Sequence, residues 1–206
     1  MQPTYGNWKI VRELGRGSFG QVYEIQKEEF GQTYRAALKI ISIPKSPSDV
    51  DAVRGAGMTD DNITEYYHSI VEDSVKEIAL MSELQGNSNI VNYQNHEVRK
   101  HPNDPGWDIY LQMELLVPLN KYIQQNGITR EEVIRLGMDV CSALEVCQER
   151  DIIHRDIKPS NILITNDGTI TLIDFHISRI RSGFQERDTQ VAGTVGYAPP
   201  EQFGLS

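Results

Sequence analysis

The feature that most constrains this chain of 206 residues is the run from His154 to Asn161, H-R-D-I-K-P-S-N, which we call the 154–161 loop. Asp174, Phe175 and His176 follow thirteen residues after Asn161. The two motifs supply a carboxylate for a substrate hydroxyl, a cation for a phosphate and two oxygen ligands for magnesium. So many specified residue types at fixed spacing rarely arise by chance. The combination favours phosphoryl transfer from ATP.

The composition is that of a globular protein, with 39% hydrophobic and 24% charged residues. The length predicts one large domain or two small lobes. The segment from Met1 to Lys9 is polar and therefore not a signal peptide, and no apolar run is long enough to cross a membrane. A formal net charge of -9 argues against nucleic acid as the main partner. We therefore expect a cytoplasmic protein whose Cys141 and Cys147 are reduced and unpaired.

The first part of the chain predicts a five-stranded antiparallel sheet and one long helix. The composition of Pro44 to Gly57 predicts a loop, and the apolar spacing after Thr59 predicts a helix that runs to Gly86. Five segments rich in β-forming residues are the predicted strands: Trp8 to Leu14, Val22 to Gln26, Tyr34 to Ile43, Ile90 to Arg99 and Asp108 to Leu116.

The second part predicts mainly helices. Pro118 to Gly127 is expected to be a short connection with a helical turn. Thr129 and Glu132 form a capping box that opens a helix. Asn166-Asp167-Gly168 predicts a hairpin turn between the strands Ile162 to Ile164 and Ile170 to Leu172. One face of the helix is expected to carry Val133, Leu136, Gly137, Val140, Leu144 and Cys147. The predicted fold is thus α+β, with a β-rich lobe at 1–116 and a helical lobe at 117–206.

A glycine-rich segment lies between the first two predicted strands. Gly15, Gly17 and Gly20, with Val22, fit the pattern G-x-G-x-x-G-x-V. In a dinucleotide-binding fold these glycines would open a helix, whereas here a strand follows. The pattern therefore favours a hairpin whose backbone N–H groups can approach phosphates without obstruction by Cβ atoms.

Lys39 lies in an apolar strand and is expected to need an acidic partner. Its ammonium could reach the α and β phosphates of a nucleotide if a helical glutamate held it in place. Glu77 is the preferred partner, and Glu72 is the alternative.

These motifs, in this order from Trp8 to Phe203, resemble the protein kinase family, and in particular the eukaryotic-like serine/threonine kinases of bacteria. The resemblance implies a two-lobed fold that uses ATP and Mg2+ and acts on a protein substrate. Asp156 would accept or orient the substrate hydroxyl, Lys158 would steady the γ-phosphate, and Asn161 and Asp174 would bind magnesium. The nucleotide site implied by the resemblance comprises Leu14, Gly15, Gly17, Gly20, Val22, Ala37, Lys39, Met113, Glu114, Leu116 and Leu163.

Two further segments of the chain fit this resemblance. Lys158 resembles the serine/threonine branch, where a residue such as Thr194 can bridge Asp156 and Lys158. The segment from Gly193 to Glu201 resembles the family's substrate-docking loop. Arg155 suggests a loop controlled by phosphorylation, and the candidate acceptors are Ser178, Ser182, Thr189 and Thr194.

Two departures from the family leave an alternative function open. His176 replaces a glycine, which should restrict movement of Asp174. Related domains run to about 250 to 280 residues, so the helical lobe is expected to be truncated, with an exposed apolar underside that favours self-association. The alternatives are a nucleotide-binding, pseudokinase-like regulatory module and, less favoured because of the docking loop, a small-molecule phosphotransferase.

Overall fold

The structure is a computed structural model, and it describes residues 4–17, 20–165, 167–173, 179–180 and 194–203, with only the backbone described at 179–180. The chain divides into two compact units, Met1–Ile78 with Asn92–Leu115 and Ala79–Val91 with Leu116–Ser206. Both strands and helices are present, so the predicted α+β class is confirmed. No helix among the described residues is long and apolar enough to cross a membrane.

The first unit is built on a six-stranded antiparallel sheet with the order β1-β2-β3-β4-β6-β5. The five predicted strands are all present, and a two-residue strand at the edge of the sheet is additional. The bounds are β1 Thr4–Tyr5, β2 Trp8–Gly17, β3 Gly20–Glu29, β4 Gln32–Ile43, β5 Tyr93–Lys100 and β6 Trp107–Met113.

One face of this sheet carries an apolar core. Paired residues of neighbouring antiparallel strands point to the same face of the sheet, and successive residues along a strand point to opposite faces. Alternate residues of β3 and β4 therefore belong to this core, and the residues between them point to the opposite face. Its buried members are Tyr5, Ile25, Ala36 and Leu38, and Trp8, Ile10, Ile40 and Tyr110 pack against them.

Two helices follow β4, where the sequence predicted one. Helix α1 spans Pro47–Gly55, so the prediction of a loop over Pro44 to Gly57 was wrong. Ser46 is the N-cap, its backbone N–H donates to Asp49 Oδ2 at 3.0 Å, and Pro47 occupies the first turn. Proline, serine and aspartate are typical of loops and also of helix starts, and here they form a capping arrangement.

Helix α2 spans Asp60–Glu83, close to the predicted bounds. Its residues to Ile78 belong to the first unit and those from Ala79 to the second. The apolar residues whose spacing predicted this helix are all buried or half-buried, which confirms the prediction: Ile70, Val71, Val75, Ile78, Leu80, Met81 and Leu84.

Among its described residues, the second unit contains the end of α2, two further α-helices and two small sheets. Helix α3 spans Leu119–Asn126, a longer helix than the predicted turn, and α4 spans Arg130–Glu149. The small sheets have the orders β10-β9-β7 and β11-β8. Their strands are β7 Val117–Pro118, β8 Ile152–Ile153, β9 Ile162–Ile164, β10 Ile170–Leu172 and β11 Arg179–Ile180, and two 3-10 helices span Pro159–Asn161 and Pro200–Phe203.

The start of α4 confirms the predicted capping box. Thr129 N–H donates to Glu132 Oε2 at 2.7 Å, and Glu132 N–H donates to Thr129 Oγ1 at 3.2 Å. The predicted apolar face is only partly correct, because Cys147 is buried whereas Val133 is exposed. Cys141 and Cys147 are both free, as expected.

The predicted hairpin is present as strands β9 and β10. Ile164 pairs with Ile170 and Ile162 with Leu172 in antiparallel register. Asp139 on α4 accepts a hydrogen bond from the Ile170 backbone N–H at 3.1 Å. This contact fixes the hairpin against the helix, and the hairpin in turn flanks the 154–161 loop on its C-terminal side.

Candidate active site

The 154–161 loop is anchored by a buried histidine. His154 is only 2% exposed, and its Nε2 lies 3.0 Å from the carbonyl oxygen of Ile173. Its Nδ1 lies 3.3 Å from the Asp156 backbone nitrogen, which is a donor. Nδ1 must therefore accept and Nε2 must donate, so the geometry assigns a neutral imidazole with its proton on Nε2. His154 thereby joins the loop to the strand end that precedes Asp174.

Asp156 is buried, and three side chains hold its carboxylate. Oδ1 accepts a hydrogen bond from Thr194 Oγ1 at 2.6 Å. Oδ2 lies 2.7 Å from Lys158 Nζ and accepts from Asn161 Nδ2 at 2.8 Å. Both oxygens are therefore satisfied, and the carboxylate has a fixed orientation.

Burial would raise the pKa of Asp156, but its partners outweigh that effect. Hydrogen bonds from Lys158, Thr194 and Asn161, together with the positive charge of Lys158, lower the pKa of this carboxyl below its ordinary value. Asp156 is therefore ionised at neutral pH and can accept a hydrogen bond or a proton from a hydroxyl.

Thr194 bridges Asp156 and Lys158, as the sequence predicted. Its hydroxyl accepts from Lys158 Nζ at 2.6 Å and donates to Asp156 Oδ1 at 2.6 Å. Thr194 also begins a tight turn, because its carbonyl oxygen accepts from the N–H groups of Tyr197 and Ala198 at 3.0 and 2.9 Å. Gly196 allows this turn with a φ of 91°.

Asn161 is buried and supports Asp156 from within the loop. Its Nδ2 donates to the Asp156 carbonyl oxygen at 2.9 Å as well as to the carboxylate. Its Oδ1 is contacted by the Ser160 hydroxyl at 3.5 Å, a weak hydrogen bond. The amide oxygen is therefore the atom of Asn161 that could coordinate a cation. Its proposed co-ligand Asp174, like Phe175 and His176, lies outside the described residues.

The predicted residues of the first unit share one face of the six-stranded sheet. Val22 pairs with Lys39, and Ala37 pairs with Met113, so these four side chains point to the face opposite the apolar core. Ala37 and Met113 are buried, whereas Val22 and Lys39 are half-buried. Three apolar side chains and one cation therefore share this face, and their role in binding adenine and phosphates stays a prediction.

The two candidate partners for Lys39 differ in their burial. Glu77 is half-buried on α2, whereas Glu72 is exposed and lies 3.6 Å from His68 Nδ1 on the same helix. The pairing of Lys39 with Glu77 stays a prediction.

The glycine-rich segment forms the tip of the β2-β3 hairpin. Gly15 pairs with Val22 and Gly17 with Gly20, and Gly15 and Gly17 are exposed. Gly20 has a φ of 128°, and a Cβ atom there would lie 2.2 Å from the Ile40 carbonyl oxygen. This position therefore excludes any side chain, whereas Gly15 and Gly17 have no atom within 4 Å of such a Cβ.

The remaining predicted nucleotide residues are placed in both units. Leu14 and Glu114 are half-buried in the first unit, and Glu114 Oε1 accepts from the Asn92 backbone N–H at 2.9 Å. Leu163 is buried on β9 in the second unit, and Leu116 is half-buried there. Their role in binding a nucleotide stays a prediction.

The sequence did not single out Gln202 or the backbone of Arg155. Arg155 has a φ of 67°, in the left-handed region, and its carbonyl oxygen accepts a hydrogen bond from Gln202 Nε2 at 2.7 Å. Gln202 is the last residue of the sequence Y-A-P-P-E-Q, which belongs to the segment that resembles the substrate-docking loop. That resemblance did not assign a role to the glutamine. A small pocket opens beside this contact and is lined by Arg155, Asp156, Ile157, Tyr197, Ala198, Pro199 and Gln202.

Comparisons with known proteins show similarity to one protein family. The sequence pattern of the protein kinase domain matches residues 8–204. The chain is 30% identical over 207 residues to serine/threonine-protein kinase 32B of Homo sapiens, covering 97% of this chain and 42% of that protein. It is 30% identical to serine/threonine-protein kinase 32C of Mus musculus, with 97% and 36% coverage. It is 26% identical to the probable serine/threonine-protein kinase PknB of Lactococcus lactis, with 95% and 27% coverage. The chain therefore spans less than half the length of these curated relatives.

Proposed function

Because the chain belongs to the protein kinase family, we propose that it transfers the γ-phosphate of ATP to serine or threonine hydroxyls of a protein substrate. The observation that carries this proposal is the buried, ionised carboxylate of Asp156, held by Thr194, Lys158 and Asn161. A carboxylate in a fixed direction beside a cation suits a reaction that depends on positioning and charge stabilisation.

In the proposed reaction the substrate oxygen bonds to the γ-phosphorus while the bond between that phosphorus and the bridging oxygen of ADP breaks. Asp156 orients the hydroxyl and accepts its proton. Lys158 lies at hydrogen-bond distance from both Asp156 and Thr194. In the proposed reaction its ammonium would offset the negative charge that develops on the transferring group. Thr194 holds the Asp156 carboxylate and the Lys158 ammonium in fixed positions relative to each other.

Asn161, the described member of the two proposed ligands, fits a magnesium site. Mg2+ prefers oxygen ligands, and Asn161 commits its Nδ2 to Asp156 and leaves its amide oxygen for a cation. The carboxylate of Asp174 is the proposed second ligand. When bound, the ion would offset the negative charge of the phosphates.

The proposed substrate class rests on the segment 194–203. Lys158 and Thr194 follow the pattern of the serine/threonine branch, and the relatives are named as serine/threonine kinases. The pocket beside Asp156 is lined by this segment, and Tyr197 is exposed at its edge. A polypeptide bound there would present its hydroxyl to Asp156.

Because ATP is an intracellular metabolite, the proposal includes a cytoplasmic location.

A transfer assay with radiolabelled ATP, magnesium and a generic basic protein tests the proposal. We expect Asp156→Asn to lower transfer by about a thousandfold or more, because the base is lost while the shape is kept. Asp73→Asn, the same chemical change at an exposed residue of α2, is the matched control and should leave transfer unchanged. Transfer by Asp156→Asn at the wild-type rate would contradict the proposed role.

The transfer assay, combined with thermal melts in the presence of ATP and magnesium, distinguishes the alternative function. A pseudokinase-like module would show a rise in melting temperature with ATP and magnesium, yet no transfer that depends on Asp156. An active kinase would show both effects. The alternative is motivated by His176, whose side chain should restrict the backbone next to Asp174.

We also propose that two copies of the chain associate through α4. Val133, Ile134 and Met138 are 49%, 55% and 67% exposed, and Cys141 on the following turn is exposed as well. Ile134, Met138 and Cys141 are spaced so that they share one face of the helix. Contiguous exposed apolar side chains favour contact with another apolar surface.

A further inference from the structure

The peptide group between Arg155 and Asp156 is held at both of its polar atoms. Its carbonyl oxygen accepts from Gln202 Nε2 at 2.7 Å, and its N–H, contributed by Asp156, donates to His154 Nδ1 at 3.3 Å. A peptide group fixed on both sides cannot rotate without breaking one of these bonds. Its orientation sets the direction in which the Asp156 side chain leaves the backbone.

The backbone of Arg155 needs such support. Its φ of 67° lies in the left-handed region, which a residue with a Cβ atom occupies at a cost. Conformations of this kind persist where the surrounding structure determines them, and they are common at active sites. His154 and Asn161 supply contacts from within the loop, whereas Gln202 supplies a contact from a segment 47 positions away in the chain.

Gln202 belongs to the same short segment as Thr194. The segment 194–203 begins at Thr194, which contacts Asp156 and Lys158, and ends in the 3-10 helix Pro200–Phe203 that carries Gln202. The two ends of the segment thus meet the 154–161 loop at neighbouring points. One end touches the side chains of the loop, and the other touches its main chain.

We infer that Gln202 is a positioning residue for phosphoryl transfer. It holds the left-handed Arg155 and the following peptide group so that the Asp156 carboxylate points at the substrate hydroxyl, and it couples the substrate-side segment 194–203 to that carboxylate. The inference rests on the proposed kinase function. Gln202 itself does not touch the reacting atoms in this scheme.

The first test compares Gln202→Met, which keeps the length of the side chain and removes its donor, with the wild type. We expect kcat to fall about tenfold, because the variant loses one hydrogen bond that orients the base. The KM for ATP should stay unchanged, because the proposed nucleotide residues are not altered. Gln124→Met, at an exposed residue of α3, is the matched control and should have no effect.

The second test uses Gln202→Glu and the pH of the assay. An ionised carboxylate has no hydrogen to donate to the Arg155 carbonyl, whereas a protonated one regains an O–H donor. Proximity to a carbonyl oxygen should raise the pKa of this glutamate. The deficit of Gln202→Glu relative to wild type should therefore shrink as the pH falls toward the pKa of the introduced carboxyl, whereas that of Gln202→Met should not. A merely structural defect would give two parallel profiles.

The third test does not require turnover. Amide hydrogen exchange of peptides that cover 152–161, read by mass spectrometry, should be faster in Gln202→Met than in the wild type and unchanged in Gln124→Met. Equal exchange and equal kcat in Gln202→Met and wild type would overturn the inference. If the wild type transfers no phosphate, the proposed function fails, and the exchange rates alone decide whether Gln202 holds the loop.

Discussion

At the scale of single residues, the candidate site depends on a three-membered contact among Asp156, Lys158 and Thr194. Each pair lies within 2.6 to 2.7 Å. Thr194 is the neutral member, and its hydroxyl donates to the carboxylate while it accepts from the ammonium. Removal of this hydroxyl would leave one carboxylate oxygen and one ammonium proton without that partner, although the direct ion pair would stay.

Thr194→Val tests this arrangement, because valine keeps the shape of threonine and lacks the hydroxyl. We expect transfer to fall about tenfold, since the lost hydrogen bonds are charge-assisted and orient the base. Thr194→Ser should retain most of the activity because it keeps the hydroxyl. Steady-state kcat measures the effect, and a valine variant as active as the serine variant would show that the bridge is dispensable.

At the scale of structural elements, the β2-β3 hairpin contains one glycine that geometry requires and two that it does not. Gly20 combines a φ of 128° with a Cβ position 2.2 Å from the Ile40 carbonyl oxygen, a main-chain atom that cannot move aside freely. Gly15 and Gly17 face open space. Steric overlap and backbone conformation therefore require a glycine at position 20, whereas neither requires one at positions 15 and 17.

Gly20→Ala should lower the free energy of unfolding by about 2 kcal/mol or more, because both the backbone strain and the overlap with Ile40 must be relieved. Gly15→Ala and Gly17→Ala should lower it by less than about 1 kcal/mol, while both should weaken ATP binding if the hairpin covers phosphates. Urea unfolding and nucleotide titration separate the two effects. Equal stability losses for all three variants would contradict this account.

The turn between β5 and β6 contains a histidine held between two carboxylates. His101 Nδ1 lies 2.6 Å from Asp104 Oδ1, and Nε2 lies 3.2 Å from Asp108 Oδ1, which also accepts from Ser42 Oγ at 2.7 Å. Burial lowers the pKa of His101, but the hydrogen bonds and charges of Asp104 and Asp108 outweigh it, so the pKa is raised.

A raised pKa in the folded state means that the charged His101 stabilises the fold. This contribution is fully present below the pKa of the unfolded chain, near 6.5, and is lost as the pH rises through the higher folded value. Relative to His101→Asn, the wild type should therefore gain stability at pH 6 and lose that gain by about pH 9. The gain should be less than about 1 kcal/mol because solvent screens the pair. Thermal melts across this range check it, and a gain that grows with pH would refute it.

At the scale of the whole molecule, the proposed association through α4 predicts a dependence on concentration. Sedimentation velocity should show a dimer that becomes more populated as the protein concentration rises. Ile134→Glu with Met138→Glu should abolish it, because charge on the exposed helix face opposes its burial. Phe30→Glu, at a fully exposed apolar residue on the β3-β4 turn, is the control and should leave the dimer intact. A monomer at all concentrations would remove the proposal.

The sequence by itself determined the family and the order of the strands and long helices, and it supplied the residues that we propose for the site. These features are local: alternation along a strand, a capping box at Thr129, and a motif whose residues are few positions apart. Where the same residue types suit two local structures, sequence reasoning failed, as in helix α1, whose proline, serine and aspartate were read as a loop.

The tertiary structure shows which distant groups hold the site in place, and only one of the two main contacts was predicted. Thr194 lies 38 positions from Asp156, and Gln202 lies 47 from Arg155. The first contact was expected from the resemblance, whereas the second had no signal, because neither the left-handed backbone of Arg155 nor its partner follows from neighbouring residues. The burial of the side chains on α4 could likewise not be predicted from the apolar periodicity of the helix. Periodicity indicates that a helix has an apolar face, but not which part of the protein covers that face. The residue types that supply the chemistry lie a few positions apart in the sequence and can be recognised there. The orientation and burial of their side chains depend on distant parts of the chain that come together only in the folded protein.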